Sequence, residues 1–171
     1  IFKTEAISLD DVLMHHVKKA MNIVGRIKVA PLFEAYLAHG YYPFYRESLE
    51  DFPSRLRETV TVVIDSDLPA VENVTYETLQ KTKKLLMIIS EHVPFEPTMS
   101  ELWRQLSTDN ESGLKMLYAL DKAQVLALLT AKTNNYKSLS KPDKIFLSNP
   151  NLMHVLCPKV DKGNERETFF I

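Results

Sequence analysis

Between Thr98 and Leu106 the apolar residues Met99, Leu102, Trp103 and Leu106 stand at i, i+3, i+4 and i+7. Only a 3.6-residue period gathers that spacing onto one face, so the segment is predicted to be a helix with this stripe turned inward. Leu114, Leu117, Tyr118 and Leu120 form a second stripe soon after. The period then collapses into a short apolar run, Val125 to Leu129, which is bounded by Lys132, Asn134, Asn135, Lys137 and Ser138 and answered by Lys144 to Leu147. Strand, polar tip and return strand are the economical reading. A further helix precedes them: Thr75 can cap it, Leu79, Thr82, Leu86, Ile89 and Val93 face inward, Lys81, Lys83 and Lys84 face out, and Pro94 and Pro97 close it. Three amphipathic helices followed by a hairpin is the order of a winged helix-turn-helix, a module for docking or for reading DNA rather than a catalytic pocket.

The first 75 residues read as a helical subdomain. Ser8-Leu9-Asp10-Asp11 supplies a hydroxyl cap with a carboxylate three residues on, and Leu13, Val17, Ala20 and Val24 then run down one face to Gly25. Pro31 sits early in a second helix, where its missing N–H costs little, with Phe33, Tyr36 and Leu37 as the expected buried edge and Gly40 as a left-handed cap. Tyr41 to Tyr45 is an aromatic turn fixed by Pro43, and its rings, Phe44 among them, are expected to fill the space between helices. Gly40, Pro43, Phe44 and Trp103 are therefore structural expectations rather than site residues. Ser48 to Asp51 repeats the capping pattern, and Phe52, Leu56, Val60 and Val63 keep helical spacing despite the β-branched composition of Thr59 to Ile64. Asp65 to Pro69 reads as a linker, which places a helical subdomain at 1–74, the winged unit at 75–157 with a short helix from Asn149 and Pro150 through Leu156, and the start of a further domain at 158–171.

Composition narrows the function classes. Hydrophobic residues make up 45% of the 171, enough for a core, and 21 basic against 22 acidic residues leave no field over the whole chain to steer it to nucleic acid or an acidic membrane. No apolar run approaches the length needed to span a bilayer, and the single cysteine, Cys157, forms no internal disulfide, so a cytoplasmic location is expected. The histidines lack zinc spacing. A start at Ile1 without an initiator Met, and an apolar end over Arg166 to Ile171 with no cap or partner in view, read as a chain cut from something longer.

Five stretches now carry a resemblance: Phe33-x-x-Tyr36-Leu37-x-x-Gly40-Tyr41-Tyr42-Pro43-Phe44, Leu85-Leu86-x-Ile88-Ile89, Leu114-x-x-Leu117-x-x-Leu120-Asp121-Lys122-Ala123, Lys144-Ile145-Phe146-Leu147-x-Asn149-x-Asn151-Leu152-Met153 and Arg166-Glu167-Thr168-Phe169-Phe170. Together they resemble the C-terminal half of a bacterial AAA-type P-loop ATPase family. The resemblance implies an ATPase domain, a helical lid, a winged helix and a restriction-endonuclease-like domain in that order, of which this chain holds the lid, the winged helix and the beginning of the last. Gln124 stands where the resemblance would put glycine. No glycine-rich phosphate loop occurs between Ile1 and Ile171, so no cofactor is expected in this chain; ATP and Mg²⁺ are implied for the missing domain. The expected role is non-catalytic: passing nucleotide state from the chain's own ATPase domain to a protein partner.

The alternative is a DNA-binding winged helix of a regulator or a nuclease-linked ATPase. Residues 76–148 hold ten Lys or Arg against eight Asp or Glu, a net of +2, whereas residues 1–75 hold eight against eleven, a net of −3. Candidate contacts for DNA or a partner are Lys132, Lys137, Lys141 and Lys144 on the wing with Asn110, Ser112 and Lys115 on the second helix. That helix opens with Asp109 and Glu111, where a DNA reader usually places Arg, Lys, Asn or Ser, so DNA binding is expected to be weak.

Overall fold

The computed structural model describes residues 6–25, 27–71, 75–96, 98–130 and 141–171. The described chain is mainly helical with one small two-stranded antiparallel sheet. Its packing divides into residues 1–36 and residues 37–171, whereas the sequence suggested a division at Val74.

The first unit holds α1 (Leu9–Val24) and α2 (Val29–Ala35). Ser8 caps α1 as expected, its hydroxyl accepting from the Asp11 amide at 3.1 Å. The stripe along α1 is present but uncovered: neither helix contains a buried residue, and Leu13, Val17 and Val24 are each more than half exposed. Phe33 and Tyr36, expected in a buried edge, are 37% and 40% exposed, and only Leu37 is buried.

The path continues through a π turn, Tyr36–Gly40. Gly40 does not have the left-handed conformation expected of it, since no described glycine has a positive φ; the wide turn ends the helix without one. A 3-10 turn, Pro43–Arg46, then sets Phe44 5.6 Å from the Tyr42 ring and 5.3 Å from Phe52, with the Arg55 guanidinium 5.3 Å from its centroid.

α3 (Phe52–Val62) buries Phe52, Leu56 and Val60. A π turn, Val63–Asp67, follows, and α4 (Leu68–Val71) continues the helical path, so the expected linker over Asp65 to Pro69 is helical instead. Ile64, four residues on from Val60 and so on the same helical face, is 2% exposed, while the expected Val63 is only partly buried. Asp65 is also tied down, by Lys83 at 2.7 Å.

α5 (Tyr76–Glu91), α6 (Met99–Leu106) and α7 (Asn110–Lys122) supply most of the remaining core. All four residues of the α6 stripe are buried. In α7 the buried face is Gly113, Met116, Leu117 and Leu120, whereas Tyr118 is 40% exposed. The turn between α6 and α7 is left-handed at Ser107 (φ 49°), and Asp109 caps α7 through the Ser112 amide at 2.9 Å. Lys81 and Lys84, expected to point into solvent, donate to the carbonyls of Ser107 and Gln105 at 2.8 Å each. They satisfy acceptors that the end of α6 leaves without helical partners.

β1 (Leu126–Leu129) and β2 (Lys144–Leu147) pair antiparallel, Leu126 opposite Leu147 and Leu129 opposite Lys144. On the far side of β2, Phe95 and Ile145 exchange backbone hydrogen bonds of 2.8 Å in both directions. One core joins Leu56, Leu85, Ile89, Leu102, Leu117, Ile145 and Leu152, and each such burial contributes about 1.5 to 3 kcal/mol.

α8 (Pro150–Leu156) begins at the expected Asn149 cap. α9 (Lys162–Phe169) is capped by Asp161 and packs on α8 through His154 and Glu165, so the end of the chain has both the cap and the partner that the sequence did not reveal.

Candidate docking and nucleic-acid face

The outward side of α7 is set by what its inward side must do. Trp103 lies flat against Gly113, where a Cβ would come within 2.5 Å of the ring, and donates its indole N–H to Asn110 Oδ1 at 3.0 Å. That bond fixes one amide arm of Asn110, a candidate contact. Ser112 is a second candidate, and its backbone serves the Asp109 cap. Exposed beyond them are Glu111, Lys115, Tyr118 and Lys122.

Two of the five candidate cations, Lys115 and Lys144, are engaged within the chain. Lys115 pairs with Glu111 at 2.7 Å, one helical turn away. Lys144 lies 3.1 Å from Glu167 and 3.5 Å from Glu96, and these carboxylates, Glu167 foremost, raise its pKa above the usual lysine value. Lys141 is exposed just ahead of β2. Lys132 and Lys137 lie outside the described residues. The face thus brings Asn110, Ser112 and Lys115 together on one helix and leaves Lys144 in a carboxylate bracket beside α9.

Two positioning devices escaped the sequence, and a third, at Gln124, showed there only as a departure from glycine. Asn151, fully buried, accepts from the Tyr41 amide at 2.8 Å and donates to the Leu37 carbonyl at 2.6 Å. Arg57 reaches the Val155 carbonyl with two nitrogens, at 3.2 and 3.0 Å, and so caps α8 from α3. Gln124 is left-handed (φ 57°) in the turn from α7 into β1, and its carbonyl accepts from the Ser148 hydroxyl. The glycine the resemblance would place there is absent, but the conformation glycine favours is kept.

Among the described residues no group of three or more His, Cys, Asp or Glu is arranged to hold a metal ion. Burial pushes the Cys157 thiol up to about 11, which keeps it protonated and poorly nucleophilic at neutral pH. No helix of the described residues is long and apolar enough to cross a membrane. No protein-family profile, curated protein or solved structure matches the chain.

Proposed function

We propose that residues 75–157 act as a winged-helix docking module for a protein partner, with α6 and α7 as the helix-turn-helix, β1 and β2 as the wing, and Phe95 in place of the short third strand. On this reading the chain is non-catalytic and belongs to a larger AAA-type ATP-binding protein, whose nucleotide state it relays by rigid-body movement of the module. The observation that carries docking over DNA reading is the pairing of Lys115 with Glu111 and of Lys144 with Glu167 and Glu96. Surface pairs of this kind add little stability. They do offset, within a Debye length, the share of the positive field that Lys115 and Lys144 would bring to phosphate binding. Exposed Tyr118 at the centre of α7 suits a protein interface, where aromatic anchors concentrate.

Duplex DNA titrated against the whole chain at physiological salt tests this. The expected result is binding of about 10⁻⁴ to 10⁻⁶ M, the range of non-specific contacts, with no preference over a scrambled duplex. Replacing Lys132, Lys137 and Lys141 with alanine should change it little. Nanomolar affinity for one duplex, with a salt slope that the triple variant flattens, would establish DNA reading as the function instead.

A further inference from the structure

A cavity of about 370 Å³ opens where the aromatic turn, α3 and the turn from α7 into β1 meet. Its floor is apolar, formed by the buried Leu56, Val60, Leu126 and Leu152. Its rim is polar and, among the described residues, carries one sign of charge only: Asp121 is the single Asp or Glu of the lining, and no described Lys, Arg or His lines it. One Asp121 carboxylate oxygen accepts from the Leu128 amide at 3.1 Å. No cation among the described residues stands within ion-pair distance of Asp121, and a carboxylate has acceptor sites to spare.

Two aromatic rings border the same space. Tyr41 and Tyr42 meet edge to face with centroids 5.2 Å apart, and the Tyr42 hydroxyl is fixed by the side-chain amide of Asn149 at 2.9 Å. Ring faces attract cations, and a half-enclosed site strengthens an unpaired carboxylate's pull on them. Phosphate and carboxylate ligands meet only repulsion from Asp121.

We propose that this cavity binds a small organic cation, a primary ammonium on a compact apolar body, with the ammonium at Asp121 and the body on the Leu56, Val60 and Leu126 floor. The volume lies within the range of small-molecule pockets. The site is separate from the outward face of α7 and does not depend on the docking reading.

Phenethylamine is the probe, with 2-phenylethanol as its neutral isostere and phenylacetate as the anion of similar shape. Amide chemical shifts of the whole chain, followed by NMR at pH 7, give affinity and location together. Saturable amine binding is expected, with shifts centred on residues 41–42, 121–127 and 148–149 and with both controls at least tenfold weaker. Asp121→Asn, which keeps a carbonyl for the Leu128 amide, should weaken the amine at least tenfold. Thr59→Trp, at an exposed position on the rim, should abolish binding without lowering the melting temperature. Alcohol binding as tight as amine, shifts centred elsewhere, or no saturation up to about 10 mM, the weakest affinity expected of a fragment this size, would each overturn the proposal. If the Asp121→Asn protein fails to fold, Thr59→Trp decides alone, and undiminished binding in that folded variant overturns the proposal.

Discussion

Gly113 has no side chain because the Trp103 ring occupies the place of one. Gly113→Ala would drive a methyl to within 2.5 Å of ring carbons, and neither the helix backbone nor a ring held by Asn110 yields cheaply. Overpacking of this kind costs about 1 to 3 kcal/mol, more than the helix propensity that alanine gains. Urea denaturation should show that loss, and a variant as stable as the parent would mean that the indole has another place to go. Asn151 presents the opposite case, a polar side chain sealed in the interior with both arms occupied. Asn151→Leu keeps the volume but strands the Tyr41 N–H and the Leu37 carbonyl, at about 1 to 3 kcal/mol for each group left unpaired. A smaller loss in the same denaturation assay would show that water reaches them.

Asp109 shows how a helix end couples to pH. The backbone amide of Ser112, and secondarily its side chain, holds the Asp109 carboxyl below its ordinary range. A folded-state pKa below the unfolded one gives stability that is present above about pH 4 and is lost as pH falls through the lowered folded value. Asp109→Asn keeps an oxygen for the cap but cannot titrate, so stability measured between about pH 5 and 2 should fall less steeply in the variant. Parallel acid limbs would show that this carboxylate does not contribute to the acid response. The elements legible in the sequence were those written in local periodicity and caps: α1 from Ser8, α5 from Thr75, α6 from its stripe, and α8 from Asn149 and Pro150. The hairpin followed from the change of period. The errors also have physical origins. A stripe read at i, i+3 and i+4 says that a helix has an inside without fixing its centre, so Tyr118 was expected where Met116 lies. Positions i+3 and i+4 from Val60 share one helical face, so periodicity could not choose Ile64 over Val63, and Asp65 to Pro69, polar enough to read as a linker, is helical. The left-handed positions fell to Ser107 and Gln124, not to Gly40, because the surrounding hydrogen bonds rather than residue type select them. Arg57 and Asn151 act across 98 and 110 or more positions of chain, a distance over which periodicity carries no information. Of the candidate site, the residues brought onto α7 were legible; the carboxylates that occupy Lys144 come from Glu96 and Glu167, and only folding places them there.

Among the described residues, every buried hydrophobic side chain lies in residues 37–171, beginning with Leu37. The first unit, with no buried residue on either helix, is shorter than the size at which domains usually fold unaided. A chain shortened to residues 37–171 keeps all of those buried side chains and should therefore unfold cooperatively, and a broadened, non-cooperative transition would show that they do not make a core by themselves. The burial of Trp103 turns this into something measurable on the intact chain. It is the only tryptophan, and at 5% exposure its emission reports the larger unit while being silent about α1 and α2. Circular dichroism counts the helices of both. In a urea titration followed both ways, ellipticity should begin to decline before the emission maximum moves, and the gap between the two curves measures how much helix this protein forms outside its one fluorescent core.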